Sequence, residues 1–375
     1  MTASEQQIVA LTYCKRYHLQ EARQALQQLF VYFGGIETIV KPGQRVLLKP
    51  NLLAAAAPVE AVTTHPVIIK ALTELIQEVG GLVLIGDSPG DDQQEEAHRV
   101  SGLQKVMAET GAEMLLFKGV KETWVKGFRE RIIPLAAELE QVDLVINVAK
   151  LKTHALVGLT AAVKNVFGCV VGNHKKRYHM EYPLPLAFSR LLIDVYLAVK
   201  PAFSIIDAVV AMEGTGPRRG KARRLGLLMA SPNAVALDSV AAEITGFRPE
   251  QVTTVAVARE LKLPGSNLAE IQIKGLTIEE CRINDFDQGP AASGKVSRLI
   301  ANFPLAWFRN MIYARRPYPS VNSILCNGCG VCAKNCPVQV IDFSTGIPDL
   351  DLNECIRCYC CQELCAQGAI ELSEH

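Results

Sequence analysis

The chain has 375 residues, with 39 Lys plus Arg against 38 Asp plus Glu, for a net charge of +1. A hydrophobic share of 49% beside 21% charged residues excludes wholesale disorder, and the even charge balance gives no footprint for nucleic acid. No window supplies the ~20 uncharged apolar residues that cross a bilayer. The nearest, 184–212, is broken by Arg190, Asp194, Lys200 and Asp207 and reads as a helix followed by a buried strand.

The N-terminus, MTASEQQIVALTYCKRYH, lacks the basic start and apolar core of a secretory leader, so a cytoplasmic location with reduced thiols is expected. From 7 to 275, short apolar runs alternate with helix-period segments. That pattern predicts an α/β fold, an open and largely parallel sheet with helices on both faces. Strands are expected at 8–12, 45–49, 82–86, 114–118, 144–148, 203–206, 225–230 and 271–274. A helix is expected over 64–80, where Val67, Ile68, Ala71, Leu72, Leu75, Ile76 and Val79 share a face. Pro66 suits its first turn and Gly80-Gly81 its stop. Another helix opens at the cap Asn233. Residues 1–284 form the expected ligand-binding domain and 285–320 a linker. Within the linker, the amphipathic stretch 298–313 is expected to be a packing strut, with a membrane-surface or partner-docking helix as the alternative. A small α+β module follows at 321–375.

Polar residues gather where the strands end. Lys49 and Asn51 follow one strand; Asp87 and Ser88 sit in the turn 86–90 after the next. Lys150, Lys152, Thr153 and His154 follow a third, and Asp207 and Glu213 a fourth. Loops at the carboxyl edge of an open parallel sheet converge on its ligand crevice. Lys49, Lys150, Lys152 and Lys164 would give that edge positive charge, and Thr64, Thr153 and Thr160 hydroxyls, a chemistry suited to a small anion. Thr160 and Lys164, four apart, are expected on one helix face, with Asn165 beside them. His154 and His65 are the candidate proton donors, and Asp87 and Asp207 the candidate orienting carboxylates. The stretch 173–179, with two histidines and three basic residues, reads as a surface loop or a lid.

Nine of the 12 cysteines lie between Cys326 and Cys365. Cys326, Cys329, Cys332 and Cys336 recur 29 residues later as Cys355, Cys358, Cys361 and Cys365. Each copy reads C-x2-C-x2-C-x3-C, a spacing that wraps three corners of an iron–sulfur cube and sends the fourth cysteine to the other cube. The expected ligand sets are therefore Cys326, Cys329, Cys332 and Cys365 for one [4Fe–4S] cluster, and Cys355, Cys358, Cys361 and Cys336 for a second. Cys360 is surplus and is expected to be a bystander, an alternative ligand or an oxidation target.

The tail resembles the bacterial two-cluster ferredoxin domain. The strings LLKPNLL (47–53), TTHP (63–66), IGDSPG (85–90), NVAKLKTHALVGLTAAVKNVFG (147–168) and IDAVVAMEGTGPRRG (206–220) resemble the family named domain of unknown function 362. Members are often fused to a ferredoxin module, which implies that these loops make one site but names no substrate. The leading expectation is an iron–sulfur oxidoreductase whose two clusters exchange electrons between a soluble carrier protein and a small anionic substrate or cofactor bound at the carboxyl edge of the sheet. The alternatives are a non-catalytic protein whose large domain docks a partner enzyme, and a metal- or sulfur-cofactor processing protein.

Overall fold

The computed structural model describes residues 7–91, 93–289 and 316–373. The linker stretch 298–313 lies outside them. In chain order the strands of the large domain are β1 (Gln7–Tyr13), β2 (Arg45–Lys49), β3 (Leu82–Ile85), β4 (Glu113–Met114), β5 (Val120–Trp124), β6 (Ile132–Ala136), β7 (Leu144–His154), β8 (Gly158–Thr160), β9 (Phe203–Glu213), β10 (Lys221–Ser231) and β11 (Ile271–Gly275). A nine-stranded sheet runs β11-β1-β10-β9-β7-β2-β3-β4, with β8 added to the end of β7. β10 is antiparallel to both its neighbours and β8 to β7, while the remaining pairings are parallel. β5 and β6 were not anticipated and form a separate hairpin.

Alternation along the strands explains the two helical layers. Val46, Leu48, Val83 and Ile85 face the layer holding Leu26, Leu29, Ile68, Leu72 and Ile76. Leu47 and Leu84 face the opposite one, with Leu191, Leu192, Val240 and Val257. The helix Pro66–Glu78 carries Pro66 in its first turn, and His65 caps it by accepting from Val67 N. Each large aliphatic side chain that it buries stabilises the fold by roughly 1.5–3 kcal/mol. The fold is thus the expected α/β class, a largely parallel sheet flanked by helices.

Three local expectations change. β7 and β9 run on past Val148 and Ile206, to His154 and Glu213, because they pair with each other well beyond their apolar cores. Lys150, Lys152, Thr153 and His154 therefore lie within a strand rather than after it. Thr160 and Lys164 do not share a helix. Thr160 ends β8 and Lys164 sits in the short helix Ala162–Asn165. The stretch 173–179 is not a loop; it belongs to the helix His174–Glu181, whose Tyr178 and His179 are buried.

In the tail, β12 (Tyr318–Val321) pairs with β15 (Ile370–Ser373), and β13 (Ile341–Asp342) with β14 (Asp349–Leu350). The 29-residue repeat is visible in the backbone. Left-handed residues pair up as Gly328 with Arg357, Gly330 with Tyr359 and Gln339 with Gly368. The helix Val331–Lys334 likewise matches Cys360–Leu364.

Candidate functional site

β2 and β7 are neighbours in the sheet, yet the chain leaves β2 toward β3 on one side and reaches β9 from β7 on the other. This is the switch point at which a crevice opens beyond the carboxyl ends. A cavity of about 100 Å³ lies there, lined by Asn51, Leu52, Leu53, Asp87, Ser88, Gly90, Thr160, Lys164, Asn165, Phe167, Gly168, Lys175, Lys176 and His179 from the large domain. The tail closes it with Asn335, Cys360, Glu363 and Leu364.

The floor is a network of paired groups. Lys49 Nζ meets Asp87 Oδ1 at 2.7 Å, both buried. Asp87 also accepts from Leu52 N at 2.7 Å and Ser88 N at 2.9 Å. Gly168 permits this pair, since a Cβ there would stand 1.9 Å from Asp87 Oδ1 and 2.8 Å from Lys49 Nζ. Asn51, Asn165 and Asn147 form a chain of amides at 2.8 Å each. Lys152 Nζ donates to Asn51 Oδ1 at 2.8 Å and Val62 O at 2.7 Å. Burial, then the neighbouring Lys164 charge, holds the Lys152 pKa well below its usual value. Lys175 donates to Ser88 Oγ at 2.8 Å, so the helix His174–Glu181 is clamped onto the turn after β3.

Three polar groups face the cavity differently. Thr160 Oγ1 and His179 Nδ1 are buried with no hydrogen-bond partner among the described residues. Among these residues, no ion pair or hydrogen bond ends on Lys164 Nζ, and burial lowers its pKa against the opposing pull of Glu363 and Cys360. Burial also pushes His179 down to about 4, so its ring is neutral near pH 7.

His154 joins the two domains. Its Nδ1 accepts from Leu156 N at 3.1 Å, which leaves the proton on Nε2. Nε2 lies 2.9 Å from Glu363 Oε1, without hydrogen-bond alignment. Burial and Lys164 bring His154 down to about 4. For Glu363, burial alone would raise the pKa, but His154 and Lys164 hold the carboxylate ionised. Arg219 donates to Gln367 O at 2.6 Å and Gln362 to Thr215 O at 3.2 Å across the same interface.

The remaining residues expected in the crevice do not line this cavity. Lys150 and Asp207 pair at 3.0 Å, fully buried, with Tyr17 OH donating to Asp207 Oδ1 at 2.9 Å and accepting from Lys150 at 2.6 Å. The His65 ring stacks on Tyr17 at 3.5 Å, and its backbone N–H donates to Asp207 Oδ2. Thr64 Oγ1 donates to Val148 O, Thr153 Oγ1 accepts from Gly216 N, and Glu213 accepts from Asp287 N. Of the four lysines expected to charge the edge, Lys49 and Lys150 are neutralised in pairs and Lys152 is spent on oxygens of the floor. Lys164 is the one that lines the cavity. Sequence reasoning missed Tyr17, Phe167, Gly168, Glu363 and Leu364. No local signal marks Glu363 or Leu364, because their place depends on how the tail docks.

In the tail, Cys332 feels the thiols of Cys365 and Cys329, and Cys355 those of Cys358 and Cys336. Cys361 lies among Cys358, Cys355 and Cys336, with Cys332 beyond. Cys329 is exposed, whereas Cys358, Cys360, Cys361 and Cys365 are buried. Among the described residues, no three His, Cys, Asp or Glu side chains are grouped to hold a single metal ion. No helix among them is long and apolar enough to cross a membrane.

The architecture is that of an α/β domain with an iron–sulfur module docked at its crevice. Residues 46–243 match the family described as domain of unknown function (DUF362), and the chain belongs to that family. Residues 319–342 match the 4Fe-4S binding domain. A thylakoid-associated protein of Synechocystis sp. is 36% identical over 257 residues, covering 68% of this chain and 79% of that protein. An iron–sulfur subunit of the CoB–CoM heterodisulfide reductase of Methanocaldococcus jannaschii is 31% identical over 72 residues, covering 14% of this chain and 11% of that protein. The lactate racemase apoprotein of Thermoanaerobacterium thermosaccharolyticum superposes with a TM-score of 0.42 at 11% identity, over 64% of this chain and 57% of its own. A Thermotoga maritima protein does so with a TM-score of 0.35 at 16% identity, over 56% and 55%. The chain thus spans little more than half of either solved structure. The module matches support an iron–sulfur electron-transfer role.

Proposed function

We propose that this protein is an iron–sulfur oxidoreductase whose cavity takes a small anion at the junction of the sheet edge and the tail. One observation carries the reading: the cavity is shared between Lys164, Thr160 and His179 of the large domain and the helix Cys360–Leu364, which adjoins the cysteine run. Lys164 supplies the charge that the other lysines of the edge do not. Thr160 Oγ1 and His179 Nδ1, each without a partner among the described residues, would donate to the anion's oxygens, because a buried polar group costs free energy until it is paired. Lys152 and the amide chain hold Asn51 in place at the rim. Lys49 fixes Asp87, which in turn orders the turn carrying Ser88.

The nearness of Cys332 to Cys329 and Cys365, and of Cys355 and Cys361 to Cys336 and Cys358, supports the crossed assignment: Cys326, Cys329, Cys332 and Cys365 for one cluster, and Cys336, Cys355, Cys358 and Cys361 for the other. Their donor chemistry fits two [4Fe–4S] clusters. A bound cluster would supply one-electron transfer at the cavity's tail side. The exposure of Cys329 supports docking of a soluble electron carrier on that face of the tail.

Calorimetric titration of the anaerobic, iron-loaded protein with acetate and with inorganic phosphate tests the site. Saturable binding of at least one anion, weakened about ten-fold or more in Lys164→Met, is expected for a charge-assisted contact in a dry cleft. Absence of saturation by both anions overturns the reading.

A further inference from the structure

The two helices of the tail are one element folded twice, each entered through a left-handed residue, Gly330 or Tyr359. Because their backbones match at an offset of 29, the first copy shows what the fold itself needs at each place in the second. Cys332 corresponds to Cys361 and Cys336 to Cys365, so the thiols of the motif coincide. At the remaining places the copies diverge: Val331 becomes Cys360, Ala333 becomes Gln362 and Lys334 becomes Glu363. Valine serves the module's fold where Cys360 stands, so the extra thiol answers to something outside the module. Cys360 and Glu363 both line the cavity.

Independent observations point to a ligand beside that thiol. Thr160, 2% exposed, and His179, 7% exposed, each present in the same cavity a polar atom with no hydrogen-bond partner among the described residues. Lys164 and Cys360 line that cavity from its two sides, one from the large domain and one from the tail.

We propose that Cys360 is the nucleophile of a thiol–disulfide site and that the cavity takes a small anionic disulfide. This rests on the anion-binding reading above and names its substrate class. Lys164 holds the anionic group, and the Thr160 hydroxyl and His179 Nδ1–H donate to it, which brings the disulfide to Cys360. The Cys360 sulfur attacks one sulfur of the disulfide, a bond forms from Sγ to that sulfur, and the original S–S bond breaks. The Cys360 proton passes to the leaving half, which departs as a thiol. Two electrons delivered singly by a one-electron donor protein, with two protons, then cleave the mixed disulfide, releasing the second thiol and restoring the Cys360 thiol. In sum, one disulfide, two electrons and two protons give two thiols.

The test uses the full-length, iron-loaded protein under anaerobic conditions and two small probes, the dianion dithiodiglycolate and the neutral bis(2-hydroxyethyl) disulfide. Peptide mapping by mass spectrometry should find the thioglycolate adduct on Cys360, formed about ten-fold faster than the neutral adduct. Lys164→Met should erase that preference. Cys360→Val, which copies the first repeat, should form no adduct while keeping its iron content and its electron paramagnetic resonance signal. An absent adduct, or one on another cysteine, overturns the inference while acetate or phosphate binding leaves the anion site standing. Iron loss in Cys360→Val overturns it differently, by making the residue a cluster ligand. Failure of every anion to bind removes both readings.

Discussion

Asp238 governs the position of Lys164 without touching the cavity. Its carboxylate is buried on the helix Ala234–Ile244 and accepts from Ala162 N at 2.7 Å and Val163 N at 3.1 Å, pinning the start of the short helix that carries Lys164. Burial pushes its pKa up to about 7, although the two amides oppose the shift. A carboxyl raised in this way binds more protons folded than unfolded between about pH 4 and pH 7, so its contribution lowers stability as pH climbs through that window. The effect is on the order of 4 kcal/mol. Denaturant titrations at about pH 5 and pH 7.5 should show Asp238→Asn losing much of the wild-type difference, and an unchanged difference would refute the assignment.

Among the elements, those legible in the sequence were the ones whose burial is one-sided or complete over a short run. β2 was read with its bounds intact, since Val46, Leu47 and Leu48 stand between polar residues. The helix Pro66–Glu78 was read because its apolar face, proline and terminal glycines agree. The outer halves of β7 and β9 were not, because buried Lys150, Lys152 and Asp207 look like loop residues until their partners are known. Thr160 and Lys164 were placed on one helix by spacing alone, whereas pairing with Lys152 makes Thr160 a strand residue. Both still reach the cavity, so the site residues were partly found by the wrong local route. Helix ends offer a test at this scale. Lys200 stops the helix Pro185–Val199 at φ 48°, a left-handed conformation that favours glycine. Lys200→Gly should raise stability by about 0.5 kcal/mol, since relief of side-chain crowding outweighs the added freedom of the unfolded chain. A lower melting temperature would contradict this.

Across the whole molecule, the junction between the domains was the least legible feature. Glu363 and His154 are distant in sequence, and neither segment names the other. His154→Leu would take the nearest polar group away from the buried Glu363 carboxylate, a loss of about 1–3 kcal/mol. Hydrogen exchange should quicken in 360–373 while the helix Pro66–Glu78 keeps its protection. Equal protection of 360–373 in variant and wild type would show that the contact does not hold the tail in place.

The cavity owes its far wall to a tail with little apolar interior of its own, the kind of small module whose folding is expected to be coupled to metal uptake. On the proposed reading, iron uptake and anion affinity are two readings of one equilibrium. Whatever strengthens either must strengthen the other by the same factor, so a cell short of iron would hold a protein that has also lost its grip on its small-molecule ligand.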